Sequence, residues 1–127
     1  MKFVVVTGMV FPNDPSRKSR PAVVLGMVDG RVAVAPCSTN YERSGVIKPG
    51  SVLITKKSPA YPGTSFKADQ VTIRVRDTAL YSIDSHFVKN CRQIGVLDTD
   101  LDKRLGDNLR ETMMHYDLIK RPRKFDK

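Results

Sequence analysis

The run AVVLGMVDGRVAVA, residues 22–35, decides the fold class. Residues 22–28 are apolar throughout, broken only by Gly26, and read as a buried strand. Asp29-Gly30 follows at once. A two-residue type I′ turn needs positive φ at both central positions, and Asp-Gly is a preferred pair for it. Residues 31–35 then return antiparallel. Upstream, residues 3–6 (FVVV) form a β-branched and aromatic strand. It resumes at Met9-Val10-Phe11 after Gly8, which marks a bend or bulge. Downstream, residues 51–55 (SVLIT), 71–76 (VTIRVR) and 79–83 (ALYSI) read as further strands. Residues 71–76 alternate with period two, one face apolar and the other basic. Polar, proline-bearing stretches at 12–19 and 58–64 separate these runs. Short strands at this spacing around a strong hairpin predict a small antiparallel β-barrel.

The last third changes period. Leu101, Leu105, Leu109 and Met113 recur every four residues, with Tyr116 on the same side, which predicts an amphipathic helix. Thr99 with Asp102 reads as a capping box with the shorter acid, and Asp100 and Asp102 complement the helix dipole. Pro122 in the tail ends the pattern. The expected class is mainly β with α (α+β), one domain over residues 1–119 followed by a basic tail at 120–127.

Composition narrows the function classes. At 127 residues the chain has the length of one domain. With 40% apolar and 28% charged residues it is rich enough in apolar side chains to pack a core. The longest apolar stretch, seven residues, is far short of the roughly 20 that a membrane-spanning helix needs. The first residues, MKFVVVTGMVFP, lack the apolar length and cleavage site of a signal peptide. Cys37 and Cys91 match no zinc spacing, so neither a disulfide scaffold nor a structural metal site is expected, and a reducing cytoplasm is the expected location.

Lys and Arg number 22 against 13 Asp and Glu, a net charge of +9. The excess is uneven: residues 1–97 carry +8, residues 98–119 carry −3, and residues 120–127 carry +4. Basic residues gather at Arg17, Lys18 and Arg20, at Lys56 and Lys57, at Lys67, and at Arg74 and Arg76. Surplus lysines often serve only solubility. A surface of this sign also suits a polyanion, of which nucleic acid is the commonest.

Three segments stand out together: RPAVVL at 20–25, APCST at 35–39 and FKADQV at 66–71. Their order, followed by IGVL at 94–97 and a terminal helix, resembles the MazF/PemK family of toxin endoribonucleases, which includes Kid- and CcdB-like proteins. The six-residue RPAVVL match is the most specific part, and the resemblance spans roughly residues 9–115. It implies an SH3-like barrel with a C-terminal helix, usually a homodimer, without cofactor or metal. The implied activity is cleavage of single-stranded RNA at short sequence motifs, held in check by a cognate antitoxin protein whose acidic segment covers the basic groove. In such families IG-x-L opens the last helix. Arg20 matches the family's catalytic arginine, Ser38 its hydroxyl residue, Thr39 the next position, Asp69 an acid used by some members, and Lys67 a basic position. Two departures stand beside the match. The usual Gly-Asp of the first strand is replaced by Val4-Val5, and the loop at 15–19 (PSRKS) contains no acid.

The chemistry of these residue types fits metal-independent cleavage. A neighbouring ribose 2′-OH attacks, its proton must be taken, the crowded phosphoryl oxygens need neutralising, and the leaving 5′-oxygen needs a proton. A guanidinium at Arg20 grips two phosphate oxygens at once. Arg17 and Lys18 are placed to steer the backbone in, Ser38 or Thr39 to bond a non-bridging oxygen, and Asp69 to act as base. Lys56, Lys57, Lys67 and Arg74 complete the expected RNA-binding surface. Tyr41 and Tyr61 lie in loops, suited either to stacking on bases or to rim packing. Cys37 reads as a small packed residue rather than a nucleophile. Two rivals stay open: a non-catalytic barrel that binds nucleic acid or protein, favoured by the acid-free 15–19 loop, and a docking module of a larger assembly.

Overall fold

The 22–35 run folds as the hairpin its pattern predicts. In the computed structural model, which describes residues 1–9, 11, 20–39 and 49–119, β2 (Arg20–Val28) and β3 (Arg31–Ser38) pair antiparallel. Asp29 and Gly30 join them with φ of 50° and 76°, both in the left-handed region a type I′ turn requires. β1 (Lys2–Met9) lies on the other side of β2, and its register slips between Val6 and Met9. Gly8 sits in that slip at φ 86°, so the expected bulge is present.

Four further strands complete one seven-stranded sheet: β4 (Ser51–Thr55), β5 (Gln70–Arg74), β6 (Ala79–Tyr81) and β7 (Arg92–Asp98). The order is β4-β5-β3-β2-β1-β7, with β6 on β3. β3 changes partner along one edge: Val32, Ala33 and Val34 pair with β6, and Cys37 and Ser38 pair with β5. That switch helps curl the sheet into a half-barrel. The gap between its end strands is spanned by the segment after β4. A 3₁₀ turn at Pro62–Thr64 lies against β7, and the Ser65 hydroxyl donates to the Ile94 carbonyl at 2.5 Å.

Both faces of β1–β3 are covered. Val5, Val23, Leu25, Ala33 and Ala35 point into the barrel, with Ile54, Ile73 and Leu97. Val6, Met9, Ala22 and Val34 meet Phe11 and Tyr81 on the other face, where Phe87 of the short helix α1 (His86–Lys89) also packs. Strands buried on both faces carry unbroken apolar runs, which is why residues 22–25 and 32–35 do not alternate.

The terminal helix α2 (Lys103–His115) buries Leu105, Leu109 and Met113 in the barrel core. Several expectations are corrected at its start. Residues 94–97 do not open a helix; they belong to β7, which pairs with β1. Thr99 is not the cap: it lies in a 3₁₀ turn (Thr99–Leu101) and its hydroxyl donates to the Met1 carbonyl at 3.0 Å. Leu101 is therefore off the helical stripe and 56% exposed. The cap is Asp102, whose carboxylate accepts from the Leu105 amide at 3.1 Å and from the Ser58 hydroxyl at 2.6 Å. It ties the helix start to the loop after β4. Asp102→Ala removes a cap and a charge-assisted bond, and a loss of about 2 kcal/mol is expected. A urea titration reads this as a lower midpoint at unchanged slope; an unchanged midpoint would refute it.

The alternation expected over 71–76 holds on its apolar side, where Val71, Ile73 and Val75 join the core, but not as one strand with a free basic face. β5 stops at Arg74, and Val75–Asp77 is a 3₁₀ turn. Val71 and Ile73 face the core, and Thr72, which alternates with them, is buried as well, its hydroxyl donating to the Ser38 carbonyl. The strand expected over 79–83 ends at Tyr81. Among the described residues no helix is long and apolar enough to cross a membrane. Val10, the 12–19 loop, Tyr41 and the 120–127 tail lie outside the described residues.

Candidate functional site

Arg20 opens β2 and Ser38 closes β3. The ladder between these strands pairs Ala22 with Pro36, so two residues further on Arg20 falls opposite Ser38. Residues two apart on a strand share a face. The hairpin thus brings two residues eighteen apart in sequence side by side at one rim of the sheet. The rim is fixed from both flanks. Arg20 pairs with Met9 of β1, and the Ser38 carbonyl accepts from the Thr72 hydroxyl at 3.1 Å. Arg20 is half-buried and Ser38 is 8% exposed. Of the two, the guanidinium is better placed to meet a ligand; Thr39, the next residue, is exposed.

Beside this rim the barrel end opens into a cavity of about 580 Å³. Its walls come from alternate strand positions: Thr7 of β1, Pro21 of β2, Cys37 of β3, Val71 of β5, and Arg92 and Ile94 of β7. Thr39 and residues 65–68 complete it. The far wall is held by Tyr61, whose hydroxyl bonds the carbonyls of Phe66 and Ala68 while its ring packs on the core. Tyr61 is therefore a structural strut. Burial pushes the Cys37 thiol far up, so it stays protonated and forms apolar floor rather than a nucleophile. Two cations stand among the described lining residues, Lys67 and Arg92, and no acid does.

The remaining expected residues do not converge. Asp69 is exposed and pairs with Lys56 at 3.5 Å. Extending the β3–β5 register puts it three residues past the Ser38 level, roughly 10 Å along the strand. Lys57 lines a separate groove with Asp102 and Arg104 of the α2 start. Arg74 sits at the opposite end of β5 from Lys67 and pairs with Asp77 at 2.8 Å. Its neighbour Arg76 donates to the Ser51 hydroxyl at 2.5 Å, stapling the β4 start. Arg17 and Lys18 lie outside the described residues. The structure therefore gathers Arg20, Ser38, Thr39 and Lys67 at one end of the barrel and leaves Asp69, Lys56, Lys57 and Arg74 elsewhere.

Arg92 was not among the expected residues. It pairs with Thr7 across the β1–β7 ladder, and both line the cavity. It belongs to none of the three motif segments, and only a strand assignment for 92–98 places it there. Among the described residues no group of three or more His, Cys, Asp or Glu is placed to hold a metal ion. Compared with protein-family models, curated proteins and solved structures, the chain gives no match in any of the three.

Proposed function

We propose that this chain is a toxin-type endoribonuclease of the MazF/PemK kind that cleaves single-stranded RNA at the Arg20 rim. The observation that carries the proposal is the cross-strand placement of Arg20 opposite Ser38, beside a cavity whose described charges are all positive. The ribose 2′-oxygen attacks the adjacent phosphorus, the P–O5′ bond breaks, and a 2′,3′-cyclic phosphate forms. The 2′ proton passes to solvent water, and the 5′-oxygen takes a proton from water as it leaves. Arg20 neutralises the non-bridging oxygens where charge accumulates, and preorganised charge of this kind is often the largest single contribution to catalysis. The exposed Thr39 hydroxyl donates to one of those oxygens, while buried Ser38 fixes the strand end beneath Arg20. Asp69, held by Lys56 beyond the rim, is left out of the chemistry. A homodimer and an acidic antitoxin segment competing with RNA for the basic rim belong to the same proposal.

The test is incubation of a long single-stranded RNA with purified protein in EDTA, with Arg20→Ala alongside. Discrete fragments are expected from the wild type, and a rate lower by about 10²- to 10³-fold from the variant. Intact RNA with both proteins overturns cleavage. A salt-sensitive gel shift in that case identifies a nucleic-acid-binding barrel instead.

A further inference from the structure

We propose that the cavity at the barrel end is a nucleobase slot: it receives one unstacked base of the RNA strand, with Arg92 and Lys67 holding the phosphates on either side of that base. The inference rests on the function proposed above and adds a subsite to it. It concerns the inner face of the sheet, set by Pro21 and Cys37, which alternate in the strands with Arg20 and Ser38. A strand crossing the rim therefore meets Arg20 first and the cavity next.

Three features select this ligand. The floor is apolar, built from Cys37, Val71 and Phe66, which are all buried. Such a surface favours the flat face of a base over a sugar or a phosphate. The cations are on exposed residues and not on the floor, and among the described residues no ion pair engages Lys67 or Arg92. Two such cations on the wall of an apolar hollow suit a nucleotide chain, which carries its phosphates outside and its base inside. The hollow is also held open from both sides. Tyr61 fixes the Phe66 and Ala68 carbonyls, and Ser65 holds the Ile94 carbonyl of the bulged β7 position. A preformed slot binds without first ordering its own walls.

The probe is a nucleoside 3′,5′-bisphosphate, one base between two phosphates, compared with the abasic ribose 3′,5′-bisphosphate by calorimetry. The wild type is expected to bind the nucleoside about 10- to 100-fold more tightly than the abasic analogue. Ala68→Trp, which fills the hollow from its half-exposed wall, is expected to erase that difference. Arg92→Ala, an exposed change, is expected to weaken both ligands by the same factor. Equal wild-type affinity for the two ligands refutes the slot, and if RNA is still cleaved the proposed function survives that failure. Preferential binding of the nucleoside by a protein that neither binds nor cleaves RNA overturns the RNA assignment itself. Should Ala68→Trp fail to fold, the wild-type comparison and Arg92→Ala still decide.

Discussion

Gly95→Ala is expected to destabilise the protein by about 3 kcal/mol or more, a large share of the ~5–15 kcal/mol that holds a domain folded. Gly95 lies in β7 where the 62–64 turn crosses it. A Cβ there would stand 2.5 Å from the Gly63 and Thr64 carbonyl oxygens and 2.6 Å from the Thr64 carbonyl carbon. All three are backbone atoms, so no side-chain rotation relieves the clash. The turn must lift off β7, and with it goes the closure between the two end strands of the sheet. Gly63→Ala provides the graded comparison, since its Cβ would meet one atom, the Val96 carbonyl oxygen, at 3.1 Å. Guanidinium unfolding should rank wild type above Gly63→Ala and Gly63→Ala well above Gly95→Ala. A Gly95→Ala midpoint equal to that of wild type would show that the closing turn is not held against β7.

The parts of this fold legible in the sequence are those set by local chemistry. Asp29-Gly30 announces its turn because so few residue pairs accept positive φ twice, and Gly8 marks its bulge for the same reason. The Leu105, Leu109 and Met113 stripe is legible because a helix repeats its buried face every three to four residues. The failures are non-local. Residues 92–98 become a strand only through β1, about ninety positions earlier in the chain. Without that partner, Ile94-Gly95-Val96-Leu97 carries no clean alternation, because the ladder slips at Ile94. Arg92 was missed with it. The basic face assigned to residues 71–76 is spent within the fold: Asp77, next in sequence, takes up both arginines, and Arg76 also donates to the Ser51 hydroxyl. Net charge in one dimension counts such neutralised arginines as available. The Arg20–Ser38 pair was legible in part. The motifs singled out both residues, but their juxtaposition depends on a one-residue slip in the ladder between Val24 and Gly26; the register set by the two-residue turn alone would put Arg20 opposite Thr39.

That juxtaposition predicts a coupled pair. In the proposed RNA cleavage, Arg20→Lys keeps the charge but loses the planar two-pronged grip, and a loss of about tenfold is expected, ~1.4 kcal/mol at the transition state. Arg20→Ala loses both charge and grip, with the larger loss of about 10²- to 10³-fold. Ser38→Ala alone should cost less, since the residue is buried beneath the rim and the variant keeps the backbone carbonyl that accepts from Thr72. The informative quantity is the double variant. If Ser38 works by seating the strand end on which Arg20 meets the phosphate, removing it matters only while Arg20 is present. Arg20→Ala with Ser38→Ala should then be scarcely slower than Arg20→Ala alone, the non-additivity of groups that act as a unit. The affinity of each protein for a non-cleavable 2′-deoxy strand separates binding from chemistry: Arg20→Lys should bind nearly as well as wild type while cleaving more slowly. Fully additive losses in the double variant would mean that Ser38 supports the fold at large and that Arg20 acts without it.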